Sequence, residues 1–149
     1  MTAIAPVRRS VTVVSDPGTA FRVFTEEMAA WWPLLTHSVG GADAVGVTVE
    51  PRVGGRVVER LRSGAEETWG TVTEWSPPTR LGLTWHPGRA PSEETRVVVT
   101  FSAVGAETLV ELEHTGWESR ADGAAIQRNY DEGWVLVLGA FATRAGAAG

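Results

Sequence analysis

The last helical run, from about Asp122 to Ala145, constrains the fold more than any other stretch of the chain. At 3.6 residues per turn Ile126, Tyr130, Trp134, Val137, Leu138 and Phe141 fall on one face, with Gln127, Arg128, Asp131 and Glu132 off that stripe. From Trp134 to Ala142 the run is apolar nearly all round, so it is expected to lie in a trough and be covered on more than one side. At 1.5 Å per residue it spans about 33 Å, enough to cross a small domain.

The preceding residues say what it crosses. Val7 to Ser15 carries Val11, Val13 and Val14 and reads as a first strand. Asp16-Pro17 starts a helix, a capping carboxylate followed by proline at the first helical position, and Ala20, Phe21, Phe24 and Met28 give it an apolar face. Trp31-Trp32-Pro33 breaks it, and a second short helix or turn runs up to Thr36-His37-Ser38. From Val45 the period becomes two. Val45, Val47 and Val49 alternate, Gly54-Gly55 turns into Arg56 to Leu61, and Glu67 to Trp75 follows before Pro77-Pro78. Leu81, Leu83 and Trp85 alternate up to Pro87-Gly88. Arg96 to Ala103 carries Val97, Val99 and Phe101 on one face, and Thr108 to Thr115 carries Val110, Leu112 and His114. Short turns favour antiparallel hairpins. The fold class is therefore α+β: one strand, two short helices, about six further strands, then one long helix. A twisted antiparallel sheet of about seven strands curls, and the helix fills its concave side. Small residues on that helix (Gly133, Gly139, Ala140, Ala142) and bulky ones at Trp134 and Phe141 set an uneven standoff, which leaves an apolar hollow beneath it.

Composition removes whole classes of chemistry. The 149 residues suit one domain, ordered from about residue 7 to 144, and contain neither cysteine nor lysine. Thiolate nucleophiles, Cys-ligated zinc, Schiff bases and a phosphate-loop lysine are excluded. A net charge of −5 and scattered arginines argue against nucleic acid as a partner. No apolar run approaches a membrane span and the N-terminus does not resemble a signal peptide, so a cytoplasmic protein is expected. Met1 to Pro6 reads as a loose arm and Ala145 to Gly149 as a fraying tail.

Four segments carry a resemblance. They are Gly54-Gly55-Arg56-Val57-Val58-Glu59-Arg60, the stretch from Gly70 through Glu74-Trp75-Ser76-Pro77-Pro78-Thr79-Arg80-Leu81 to Trp85, the strand Thr108 to Thr115 with Gly116-Trp117, and Gly133-Trp134 with Val137-Leu138. In this order they resemble the Hsp90-ATPase-activator-like group of the START/Bet v 1-like helix-grip superfamily, from about Val7 to Arg144. The resemblance implies a cavity between the curved sheet and the C-terminal helix, used across the superfamily for lipids, polyketides and other apolar molecules by carriers, sensors and cyclases alike. The co-chaperone that names the group has a separate N-terminal domain, which this sequence lacks, so Hsp90 activation is not carried over.

The seven tryptophans are the unusual feature of the composition. Each has a core-packing explanation, but several converging on one hollow suit a flat, ring-containing ligand. Trp31, Trp32, Trp85 and Trp134 are assigned to the lining in preference to Trp69, Trp75 or Trp117; Phe101, Tyr130, Val137, Leu138 and Phe141 complete the expected walls. His114 points inward by strand parity, as a satisfied interior histidine or as a ligand contact, and the same alternatives apply to His37 near the mouth. His86, beside Pro87, reads as loop surface, and the histidine spacing matches no zinc signature. Glu111 and Glu113 face water by alternation, whereas Val57-Val58 hides the parity of Glu59. No cofactor or metal is expected. The expected function is binding of a small hydrophobic molecule without transforming it. The rivals are a cyclase or hydratase using His37, His114 or Glu59, and a protein-interaction module with an exposed apolar patch, which a homodimer would equally produce.

Overall fold

The computed structural model describes residues 4–146; parts of the expected N-terminal arm and C-terminal tail lie outside the described residues. Ten main elements follow one another. Strand β1 (Val7–Val13) leads into α1 (Pro17–Glu26) and α2 (Met28–Trp31). Six strands follow: β2 (Ala44–Val49), β3 (Arg56–Leu61), β4 (Glu66–Ser76), β5 (Arg80–Trp85), β6 (Thr95–Val104) and β7 (Glu107–Thr115). Helix α3 (Gly123–Ala145) closes the fold. Asp16 caps α1 by accepting a hydrogen bond from the Thr19 N–H at 2.6 Å, with Pro17 at the first helical position. Trp32, held extended ahead of Pro33, terminates α2.

The seven strands form one antiparallel sheet in the order β1-β7-β6-β5-β4-β3-β2. Consecutive hairpins build β2 to β7, and β1 joins β7 only after the chain has passed through two helices. Register shifts fall between Ala44 and Gly46, Val57 and Val58, and Val72 and Glu74, all in the β2–β5 half. Such bulges bend strands and add twist, curling the sheet into a half-barrel around α3. They also explain two departures from strict alternation. Val45 falls at the first shift and is half-exposed, although Val47, two residues on, is buried. At the second shift Val57, Val58 and Glu59 are buried in succession.

Along α3 the buried residues are Gly123 at its start and then Trp134, Val137, Leu138, Phe141, Ala142 and Ala145, these six on one face. Val135 and Leu136 are 53% and 52% exposed. The expectation that this segment is covered on more than one side is therefore corrected. The curled sheet supplies one concave wall, and residues about 100° per step away from the stripe face outward. Gly146, at φ +99°, ends the helix in the left-handed conformation, and its carbonyl accepts from the Val14 N–H at 2.6 Å.

The interior is packed solidly at the C-terminal half of α3. Phe24 packs against Phe141 and Trp31 at ring-centroid separations of 5.2 Å each, and Trp31 reaches Phe141 at 5.4 Å. Phe101 joins them from β6 at 5.9 Å from Phe24. Burying each of these side chains contributes roughly 1.5–3 kcal/mol, and edge-to-face ring contacts add to it. Among the described residues, no helix is long and apolar enough to cross a membrane.

Candidate functional site

The packing loosens toward the N-terminal half of α3. There a hollow of about 420 Å3, partly open to solvent, lies between the helix and the β4–β5 part of the sheet. Tyr130, Gly133, Trp134 and Val137 form the helix side, with Trp69 and Trp85 on the sheet side. Trp32, at the end of α2, closes the inner end. The loop residues Thr36–Val39 and the Pro87-Gly88 turn form the rim.

Four indoles line this space as a connected group. Trp32 lies 5.1 Å from Trp69, 5.9 Å from Trp85 and 5.9 Å from Trp134, and Trp85 lies 5.5 Å from Trp134. Their N–H groups need partners once buried. Trp32 Nε1 donates to the His37 carbonyl at 2.7 Å, Trp69 Nε1 to Glu59 Oε1 at 2.8 Å, and Trp134 Nε1 to His114 Nδ1 at 3.0 Å. Trp85 Nε1 is buried with no hydrogen-bond partner.

Each of the three satisfied bonds ties a wall to a support behind it. Glu59 is fully buried and accepts, besides the Trp69 indole, the N–H groups of Val39 at 2.9 Å and Gly40 at 2.8 Å. One carboxylate thus fixes the floor and the rim loop together. A Cβ on Gly40 would stand 2.3 Å from Leu61 Cδ2 and 3.0 Å from Glu59 Oε2, so a side chain there would require the Leu61 tip to move and would crowd the carboxylate. His114 is also fully buried. Indole nitrogen only donates, so Nδ1 is the bare acceptor and Nε2 carries the hydrogen. Nε2–H then donates to Thr95 Oγ1 at 2.6 Å, whose hydroxyl donates to the Trp85 carbonyl at 3.0 Å. Neutral imidazole satisfies every partner in this chain. Burial, with a smaller contribution from the Arg120 cation, pushes its pKa down to about 3.

Of the residues predicted to line a pocket, Trp32, His37, Trp85, Tyr130, Trp134 and Val137 do line the hollow. Trp31, Phe101 and Phe141 belong to the solid end of the interior, Leu138 is buried farther along α3, and His114 stands behind Trp134. The placements of Trp31 and Trp69 are the reverse of those expected. Trp31 is turned away to donate to the Val23 carbonyl at 2.9 Å, and Trp69 is drawn to the floor by Glu59. Trp117 is fully buried at the foot of α3, as expected of a packing residue. His86 is not loop surface: it is 6% exposed, with Nδ1 at 3.1 Å from the Arg89 carbonyl, because the Pro87-Gly88 turn folds back over it. Glu111 is exposed, and Glu113 pairs with Arg8 at 2.8 Å on the outer face. The rim residues Thr36, Ser38, Val39, Pro87 and Gly88 carried no periodic signal that would have singled them out.

His37 is the group in the hollow best placed to move a proton. Its Nδ1 is 2.7 Å from Thr36 Oγ1, while Nε2 faces α3, 3.8 Å from where a Cβ on Gly133 would stand. Among the described residues no cluster of His, Asp and Glu side chains is arranged to hold a metal ion.

A curled antiparallel sheet gripping a long C-terminal helix over a lined hollow defines the helix-grip class. The chain belongs to the activator of Hsp90 ATPase homolog 1-like family, whose model matches residues 15–146. Two solved structures are similar in sequence as well as fold. An anthrahydroquinone-γ-pyrone synthase is 32% identical over 96% of this chain and 99% of its own, with a TM-score of 0.64. The self-sacrificing resistance protein CalC from Micromonospora echinospora is 31% identical over 97% of both chains, with a TM-score of 0.71. The Aha1 dimer from Colwellia psychrerythraea, at 14% identity and a TM-score of 0.71 over 95% of this chain and 96% of its own, shares the fold alone. No curated protein is similar enough in sequence to be matched.

Proposed function

We propose that the protein binds a planar, polycyclic apolar molecule in the hollow beneath the N-terminal half of α3. One observation carries the reading: four tryptophans from α2's end, β4, β5 and α3 line a space of drug-like volume without filling it. Indole faces give a flat ring system large contact areas at little conformational cost. The 32% identity to an anthrahydroquino-γ-pyrone synthase favours a flat, fused-ring guest. Titration with anthraquinone, followed by tryptophan fluorescence, should give saturable quenching with a Kd on the order of micromolar. Absence of saturable quenching by planar polycycles would remove the reading.

A second reading, ring closure of such a guest, is favoured by His37. Its Nδ1 is braced by Thr36 and its Nε2 stands free at the hollow. Under this reading His37→Ala leaves guest affinity within about threefold and lowers turnover about a hundredfold or more. Equal turnover by both proteins would leave binding as the whole function.

A further inference from the structure

The accounting of indole N–H groups leaves one unexplained. Of the buried tryptophans, Trp31, Trp32, Trp69, Trp117 and Trp134 all donate to a named acceptor, and Trp85 does not. A buried, unpaired N–H is costly, and a ligand acceptor is one thing that can satisfy it. Trp85 is 3% exposed and forms part of the hollow's wall. The Tyr130 hydroxyl, on the facing helix, lies near enough to feel the Trp85 N–H, yet the two fall outside hydrogen-bond geometry. Beyond that loose approach of the Trp85 N–H, Tyr130 makes no hydrogen bond among the described residues. Burial raises its pKa, against smaller opposing effects of Trp85, Arg120 and Arg89, so at neutral pH the phenol keeps its hydrogen and donates.

We propose that Trp85 Nε1–H and the Tyr130 hydroxyl form a two-donor seat for a ring oxygen of the guest, a conjugated ketone or quinone carbonyl. This rests on the reading of the hollow as a binding site and adds which guests it prefers. Both donors belong to aromatic side chains that are themselves walls of the hollow, so an oxygen on the edge of a flat ring system can meet them while the ring lies against the indole-lined wall. At the rim, Thr36 Oγ1 is engaged with His37 Nδ1, leaving His37 Nε2 open toward α3. Ser38 Oγ donates to the Leu34 carbonyl at 2.5 Å and accepts from the Gly41 N–H at 2.9 Å. The seat offers donors and no carboxylate, which selects an acceptor. A hydrocarbon of the same outline would leave the Trp85 N–H unpaired.

Two size-matched pairs of probes test this by calorimetry: 9-fluorenone with fluorene, and anthraquinone with anthracene. The ketone or quinone of each pair should bind about three- to tenfold more tightly than its hydrocarbon. Tyr130→Phe, which keeps all seven tryptophans and the ring stack, should bring the carbonyl compound to near the hydrocarbon, and Trp85→Phe should lower the carbonyl compound's affinity more than the hydrocarbon's. Thermal denaturation of both variants identifies any that fails to fold, and Tyr130→Phe carries the test if Trp85→Phe does not. Equal binding within each pair by the unaltered protein, or a preference that survives Tyr130→Phe, would overturn the oxygen seat while leaving the hollow's binding role intact. Binding of none of the four probes would overturn both.

Discussion

His114 makes a single protonation state part of the fold. Trp134 offers it a hydrogen on one side and Thr95 accepts one on the other, so a second proton on Nδ1 would face the Trp134 N–H donor to donor. The cation Arg120 and the rings of Trp117, Tyr130 and Trp134 surround it. Its pKa is about 3 in the folded chain against an ordinary 6.5, so below pH 6.5 the unfolded chain takes up a proton that the folded chain refuses. The stabilisation is complete above about pH 6.5 and is lost progressively as pH falls toward 3. Urea denaturation should give a flat stability from pH 8 to 7 and then a decline of up to about 1.4 kcal/mol per unit below pH 6. His114→Phe should be less stable at pH 7 by about 1–3 kcal/mol, because two partners are orphaned, yet show a shallower decline between pH 6.5 and 5. A slope unchanged by the substitution would assign the titration elsewhere. Alternation with Val110 and Leu112 was enough to turn this side chain inward. Its partners lie 19 and 20 residues away, on another strand and on the helix, and no local pattern encodes such a meeting. Glu59 was illegible for a different reason: the bulge at Val57/Val58 breaks the period by which parity is read.

At the scale of elements, α3 sets the width of the mouth through one missing side chain. Gly133 is half-buried opposite His37, and a Cβ there would make only ordinary contact, 3.8 Å from Nε2. Gly133→Ala should therefore be accommodated and stabilise the helix by roughly 0.5–1 kcal/mol. Gly133→Leu should keep the helix and its stability but place its branch in the mouth, weakening any guest tenfold or more. Denaturation midpoints and the fluorescence titration together check the pair, and a Leu variant that binds normally would put the entrance elsewhere. The helix itself and most strands were readable because long periodic segments carry redundant information. The rim was not. Thr36 to Val39 and Pro87-Gly88 owe their positions to bonds such as Glu59 to Val39 and Gly40, which join residues about twenty apart.

Over the whole molecule, the sequence pattern conveyed the curled sheet and the closing helix, because binary patterning and turn residues act at every step of the chain, and the resemblance of four segments conveyed the family. It did not convey where the space between them would lie. Tryptophan composition announced a wall of indoles, yet Trp31 and Trp69 exchange roles because each follows the acceptor for its N–H, one to a carbonyl of α1 and the other to a buried carboxylate. Which aromatic fills and which lines is settled by polar partners, and those are tertiary.

The uneven packing along α3 has a last consequence. Phe141 and its neighbours anchor the molecule at one end of the helix, while Tyr130, Gly133 and Trp134 face the hollow at the other. Substitutions at the open end touch few of the contacts that keep the chain folded. Two such proteins can thus differ widely in what they accept while melting at similar temperatures, and selectivity can be re-tuned one turn of helix at a time.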